Sequence, residues 1–246
     1  MHYSFGLIGK NISYSFSRGY FSRKFRELNL DNHTYENFDL ETLNGFRALL
    51  ADRPDVQGLN VTIPYKEAII PYLDEMSPEA KAIGAVNTIA IQQGLLIGHN
   101  TDAHGFAASL RPHLKKYHTH ALILGTGGAS KAVAHVLEQQ NIAYRFVSRS
   151  GKKQGLTYPE LTGAIIKKHL LIINCSPLGT FPNIQEKPDI PYTRISEDHL
   201  LFDLIYNPEK TAFLAAGEAH GASICNGLKM LEEQAEKAWE IWKAPY

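Results

Sequence analysis

The chain has 246 residues, 44% hydrophobic and 20% charged, which is the composition of an ordinary globular protein long enough for one large domain or two small ones. Its 25 basic and 25 acidic side chains cancel, which argues against a nucleic-acid partner, and with only Cys175 and Cys225 it is no disulfide scaffold and fits a reducing compartment. No window nears ~18 uninterrupted apolar residues, so no membrane span is expected, and the opening MHYSFGLIGKNISYS lacks the pattern of a secretion signal, so a cytoplasmic location is expected. Short apolar runs then alternate with helix-like stretches, the pattern of an α/β protein with parallel strands. Strands are predicted at 3–8, 33–37, 57–63, 87–92, 120–124, 143–148, 169–174, 200–205 and 222–225. A helix at 17–28 carries Phe21, Phe25 and Leu28 on one face. Residues 111–120 (RPHLKKYHTH) read as the end of a connecting helix and a domain boundary, with His113, His118 and His120 exposed. The last segment, 227–243, sets Leu228, Leu231, Ala235, Ala238, Trp239 and Trp242 at helical spacing, a stripe read as core packing.

The strand at 120–124 runs directly into Gly125-Thr-Gly127-Gly128-Ala129-Ser-Lys-Ala132, with a helix-like stretch and a second strand behind it. Glycines at this place allow a tight turn and let backbone N–H groups approach a pyrophosphate at a helix N-terminus. The strict G-x-G-x-x-G pattern fails at Ser130, whereas G-x-G-G-x-x-x-A fits throughout. After the second strand an NAD site calls for an acid and an NADP site for an arginine. The sequence has Ser148-Arg149-Ser150, then Lys152 and Lys153, and no acid nearby, so NADP is expected.

Four polar clusters mark the first hundred residues. Ser13, Ser15 and Ser17 suit either a carboxylate ligand or a helix cap, although capping explains one serine and not three. In Asn60-Val-Thr62-Ile-Pro64-Tyr65-Lys66, a lysine after a strand–proline corner is, read alone, more often solvated than catalytic. Gly84-Ala-Val-Asn87-Thr88 and Asn100-Thr101-Asp102-Ala-His104-Gly105 follow, and Asp102 by itself is a natural helix cap. His99, Asp102 and His104 do not converge on one helix face, so no metal site is expected.

Taken in order, these clusters resemble the shikimate dehydrogenase family over nearly the whole chain. Ser15 and Ser17 stand where the family's G-x-P-I-x-H-S-x-S-P opening has its serines. N-V-T-x-P-x-K is Asn60 to Lys66, G-A-V-N-T is Gly84 to Thr88, and N-T-D-x-x-G is Asn100 to Gly105. The glycine fingerprint, N-x-[ST]-P-x-G from Asn174, D-x-x-Y-N-P from Asp203 and the closing motif Gly227 to Gln234 complete the series. The resemblance implies an N-terminal α/β substrate domain, 1–102 completed by 227–246, and a Rossmann-like NADP domain, 103–226, with the ligands in a cleft between them. It implies the reduction of 3-dehydroshikimate to shikimate by NADPH, on the route to chorismate and the aromatic amino acids, by a monomer or homodimer. It further implies Lys66 and Asp102 as the catalytic pair. Ser15, Ser17, Thr62, Asn87, Tyr206 and Gln234 are the implied substrate contacts. Gly125, Gly127, Gly128, Ala129, Ser148, Arg149, Ser150 and Gly227 are those implied for NADP.

Rival readings are an NAD-linked quinate/shikimate dehydrogenase, a methylenetetrahydrofolate or glutamyl-tRNA reductase type of protein, and a non-catalytic sensor of shikimate-like acids. Arg149 speaks against the first, the serine pair and the Asn60–Lys66 motif against the second, and the presence of Lys66 and Asp102 against the third. The chain departs from the family pattern at Asn11 (commonly Pro), Tyr14 (His), Arg18 (Pro), Ser148 and Ser150 (Asn and Thr), Asn226 (Asp) and Lys229 (a small residue). The overall neutrality also divides. Residues 103–225 hold 13 basic and 9 acidic side chains, and the excess of acids lies in the remainder, as a phosphate-rich cofactor in the second part would require.

Overall fold

In the computed structural model, which describes residues 2–13, 15–151 and 155–244, the chain separates into two compact units. One comprises residues 1–101 with 235–246, and the other residues 102–234. Residues 111–120, expected to be a boundary, lie inside the second unit. The units divide where Thr101 meets Asp102, beside the 102/103 division that the family resemblance implies, and the chain returns to the first unit at Ala235.

The first unit is built on a six-stranded sheet. Its strands are β1 (Tyr3–Gly9), β2 (His33–Asp39), β3 (Val56–Val61), β4 (Glu75–Met76), β5 (Thr88–Gln92) and β6 (Leu95–His99), in the order β2-β1-β3-β5-β6-β4. The sheet is mixed, not parallel. β1 pairs in parallel with β2 and β3, but β5 runs antiparallel to both β3 and β6. The sequence reading omitted β6, and the reason is local. Gln93 and Gly94 both have positive φ, 51° and 81°, so the chain reverses in two residues and returns as a hairpin, leaving no helical spacer to mark a new strand.

Helix α1 (Phe16–Glu27) places Phe21 and Phe25 against Phe5, Leu7 and Tyr35. Three short helices, α2 (Phe46–Asp52), α3 (Tyr65–Ala68) and α4 (Pro78–Ile83), connect the later strands. The last helix, α9 (Leu228–Lys243), closes the α1 core with Ala235 and Trp239, all but shielded from solvent. Trp242 lies across β3 at Gly58, where a Cβ would meet the indole at 2.3 Å, and its Nε1 donates to the Ile89 carbonyl at 3.0 Å. Tyr20 and Lys24 on α1 both bond Glu236 on α9. The tryptophan stripe is therefore core packing on its 235–242 side, whereas Leu228 at its start is exposed.

The second unit carries a five-stranded sheet in which every pair is parallel. Its strands are β7 (His120–Leu124), β8 (Ala143–Val147), β9 (Leu171–Asn174), β10 (Leu200–Asp203) and β11 (Ser223–Cys225), ordered β11-β10-β9-β7-β8. The near-continuous burial of the central β7, β9 and β10 suits a parallel sheet covered on both faces, whereas the edge strands β8 and β11 are partly exposed. The helices here are α5 (Asp102–Leu110), α6 (Gly128–Gln139), α7 (Gly163–Lys168) and α8 (Ala212–Glu218). The chain leaves β7 first to β8 on one side and later to β9 on the other, so the carboxyl ends of β7 and β9 form a topological switch point.

Contrary to expectation, His118 is buried. Its Nδ1 accepts the Lys115 N–H at 3.1 Å, which leaves Nε2 to donate to the Asp198 carbonyl, also at 3.1 Å. His199 makes the same two-sided arrangement with the Ser196 N–H and the Ile166 carbonyl, and His169 bonds the Ile165 carbonyl. Burial lowers the pKa of all three, so the neutral imidazole is the form that fits. These histidines pin the amino ends of β7, β9 and β10. Among the described residues no helix is long and apolar enough to cross a membrane.

Candidate active site

In the first unit the polar residues collect at one end of the sheet. Ser15 immediately precedes α1 but makes no side-chain capping bond, so helix capping does not account for its hydroxyl. Ser17, in the first turn, is buried near the phenol of Tyr35. From there a row of neutral groups runs across the strands. The Tyr35 hydroxyl donates to Asn60 Oδ1 at 2.7 Å, and Asn60 Nδ2 donates to Thr88 Oγ1 at 3.3 Å. The Thr88 hydroxyl donates in turn to Asn87 Oδ1 at 3.2 Å. Burial pushes the Tyr35 phenol far above its ordinary range, so it stays protonated, and the row from Tyr35 to Asn87 carries no charge.

Asn87 is buried and shapes the next segment. Its Oδ1 accepts the Thr101 N–H at 2.7 Å while its Nδ2 donates to Thr101 Oγ1 at 3.0 Å. Asp102 follows as the first residue of α5 and is buried there, at a helix end whose dipole favours a carboxylate. Thr62 lies just past β3, with its N–H on the Ile8 carbonyl and its own carbonyl on the Tyr65 N–H. Lys66 sits in the short helix α3, half-buried, and its carbonyl accepts the Val86 N–H at 2.7 Å. Tyr65 anchors this turn through its hydroxyl on the Leu40 carbonyl at 2.6 Å. Ser15, Ser17, Thr62, Lys66 and Asn87 thus all belong to this unit. The sequence reading did not single out Tyr35, nor did it take Asn60 as a site residue. Alternation along β2, with polar groups at 35, 37 and 39 beside an aromatic at 38, was the available signal.

In the second unit the glycine fingerprint forms the turn from β7 into α6. Gly125 has φ of 116°, and a Cβ there would lie 3.0 Å from the Cys175 carbonyl, so only glycine fits. Gly127 precedes the helix in extended backbone, makes no side-chain cap and has open space where a Cβ would be. Gly128 and Ala129 open α6, leaving first-turn N–H groups of the kind that hold a phosphate. Ser130 takes the place of the third glycine because it is fully buried with its hydroxyl on the Gly127 carbonyl at 2.7 Å.

After β8, the Ser148 N–H is held by the Leu156 carbonyl at 2.9 Å, while Arg149 and Ser150 are exposed. Burial raises the Tyr158 phenol pKa, and the nearby Arg149 charge opposes that rise. Lys152, Lys153 and Tyr14 lie outside the described residues.

Beyond β9 and β10, Asn174 and Asp203 hold the loops. Asp203 accepts from Asn174 Nδ2 and from the Ile205 N–H, each at 3.0 Å, and from the Thr211 hydroxyl at 2.6 Å. Tyr206 follows Ile205, half-buried. The Ile205 carbonyl in turn accepts the Gly227 N–H at 3.0 Å, and a Cβ at Gly227 would fall 2.1 Å from the Leu204 carbonyl. Gln234, buried on α9, donates to the Leu231 carbonyl.

Two departures in the closing motif have structural reasons. Asn226 Oδ1 accepts the Leu228 N–H, as an aspartate could, but its Nδ2 also donates to the Glu209 carbonyl at 2.9 Å, which an aspartate could not. Lys229 faces outward and pairs with Glu233 at 2.7 Å. Arg18 is exposed on the outer side of α1. Among the described residues no group of three or more His, Cys, Asp or Glu is arranged to hold a metal ion.

Comparison with known proteins agrees with these elements. The profile of the shikimate dehydrogenase substrate binding domain matches residues 7–89. A shikimate dehydrogenase (NADP(+)) of Clostridium botulinum is 36% identical, over 98% of this chain and 96% of its own. Crystallised shikimate dehydrogenase 1 from Peptoclostridium difficile is 37% identical with a TM-score of 0.86, covering 99% of this chain and 92% of its own. The shikimate 5-dehydrogenase of Thermus thermophilus, solved in complex with NADP(H) and shikimate, is 30% identical with a TM-score of 0.87, covering 98% of this chain and 93% of its own.

Proposed function

This chain belongs to the shikimate dehydrogenase family, and from that premise we propose that it interconverts 3-dehydroshikimate and shikimate with NADP(H) as cofactor. One observation carries the reading: the likeness to NADP(+)-dependent relatives runs through both units, over 96–98% of this chain and 88–96% of theirs.

Hydride delivery to the carbonyl carbon of 3-dehydroshikimate creates a developing alkoxide, which needs a proton donor within hydrogen-bond reach. Lys66 is the proposed donor, and Asp102 accepts from a substrate hydroxyl at the same end. Ser15 and Ser17 hold the substrate carboxylate through neutral hydroxyl donors, and Thr62, Asn87, Tyr206 and Gln234 hold its hydroxyls. The donor set suits the task because a hydroxyl row, unlike a cationic pocket, orients an anion without a charge of its own. The glycine turn also suits a dinucleotide. A Cβ would crowd Gly125, space is open above Gly127, and the first turn of α6 has no side-chain cap. Gly125, Gly127, Gly128 and Ala129 would hold the pyrophosphate, and Ser148, Arg149 and Ser150 the 2′-phosphate. Gly227 would flank the nicotinamide, the group that supplies the hydride when bound. We further propose that the protein works in the cytoplasm as a monomer or homodimer, without nucleic acid.

The test is turnover of shikimate by purified protein with NADP or NAD, followed by absorbance of the reduced nicotinamide. Turnover with NADP and much less with NAD is expected; no turnover with either overturns the proposal.

A further inference from the structure

We infer that Asp39, with Asn37 on the same face of β2, is a positioning residue for the loop that ends in Ser15 and leads into the helix turn of Ser17. The inference rests on the shikimate reading of those serines. Residues 10–13, which leave β1, form neither helix nor strand, so their backbone groups need partners from elsewhere. β2 provides them. Asp39 Oδ1 accepts the Asn11 N–H at 2.8 Å and Oδ2 accepts the Ile12 N–H at 3.1 Å, so both carboxylate oxygens hold successive residues of the loop. Asn37 Nδ2 donates to the Ile12 carbonyl at 2.9 Å, and that same carbonyl accepts the Ser15 N–H at 3.1 Å. Ile12 is therefore fixed at both its N–H and its C=O, and Ser15 is tied directly to it. The Lys10–Glu41 ion pair at the outer edge is well exposed and adds little.

The conformation of Asn11 explains why the anchor sits on β2. Its φ is 55°, in the left-handed region that asparagine tolerates. The family pattern commonly has proline at this place, which locks φ near −65° and has no N–H. A proline at position 11 would neither reach this conformation nor donate to Asp39. In this chain, then, the stiffness a ring would give the loop from within comes from a carboxylate outside it. The consequence is kinetic. Hydroxyls bind an anion only when their O–H vectors point at it, so a loosened loop weakens the substrate complex while leaving proton transfer at the other end intact.

The test compares Asp39→Ala, Asp39→Asn, Asn11→Pro and Asn11→Gly by steady-state kinetics. Asp39→Ala should raise KM for shikimate about tenfold, the worth of a lost charge-assisted backbone contact, with kcat within about twofold and KM for NADP unchanged. Asp39→Asn should fall between it and the wild type. Asn11→Pro should behave like Asp39→Ala, and Asn11→Gly, which keeps both the positive φ and the N–H, like the wild type. In a Ser15→Ala background Asp39→Ala should add little, because it acts through that loop. A folded Asp39→Ala enzyme with unchanged shikimate KM, an equal rise in both KM values, or full additivity with Ser15→Ala would each overturn the inference. Should Asp39→Ala fail to fold, the two Asn11 variants decide. If the wild type binds shikimate without turning it over, the functional reading fails, and the same comparison made on Kd still decides this one.

Discussion

Asp203 offers a signed test of the energetics at the carboxyl end of β10. Its carboxylate is fully buried and accepts three hydrogen bonds, yet burial outweighs them and lifts its pKa from 3.8 to about 6. An acid whose folded pKa lies above its unfolded value loses stability as pH rises through that interval, and the loss is complete above about pH 7. A shift of roughly 2 units at 1.36 kcal/mol each means about 3 kcal/mol of destabilisation at pH 8. Asp203→Asn removes that charge and keeps the acceptor for Asn174 and Ile205, while its new NH₂ can donate to the Thr211 hydroxyl. At about 2–4 °C per kcal/mol for a chain of this size, the variant should melt roughly 6–12 °C above the wild type at pH 8 and no higher near pH 4. Differential scanning calorimetry of both proteins across that range is the assay. A variant that melts lower at pH 8, or a difference that does not change with pH, would refute the reasoning.

Three further outcomes follow from the same geometry. Lys66→Ala should lower kcat by about 10²–10⁴ while shikimate still binds, measured by turnover and titration calorimetry; near-normal kcat would remove Lys66 as proton donor. Arg149→Ala should raise KM for NADP about tenfold and leave KM for NAD nearly unchanged, because only the former has a 2′-phosphate to lose. As pH falls below about 6.5, the lowered pKa values of His118, His169 and His199 mean that the unfolded chain takes up protons first, so stability should drop. This is opposite in sign to Asp203, so the decline should be clearest in Asp203→Asn, and His118→Gln should flatten it in the same calorimetric scan.

The sequence made the second unit largely readable because its logic is local. An apolar strand, a glycine turn and a helix follow one another, and β7 spans the predicted residues 120–124. The first unit was harder to read. β6 hides behind a two-residue reversal, and its antiparallel pairing replaces the expected parallel one. The serines, Thr62, Lys66 and Asn87 were visible as polar residues at strand ends. The bonds that back Ser15 and Asn87 were not, because Tyr35 and Asp39 sit on a strand whose polar and apolar residues both have ordinary surface readings. His118 misled for the opposite reason. In RPHLKKYHTH it looks solvated, and only the Asp198 carbonyl, 80 residues on, gives it a buried place.

The three pinned histidines have a consequence for how this molecule can change. They clamp the amino ends of β7, β9 and β10, whereas the glycine turn, the Arg149 loop and the Asp203 hub all hang from the carboxyl ends, one strand length or roughly 15 Å away. The scaffold is thus fastened at the edge opposite the glycine turn. Residues at the other edge can be exchanged, as in recasting Ser148, Arg149 and Ser150 to accept a different nucleotide, without unfastening the sheet that carries them. A library confined to those residues should keep most members folded, and one spread over positions 118, 169 and 199 should not.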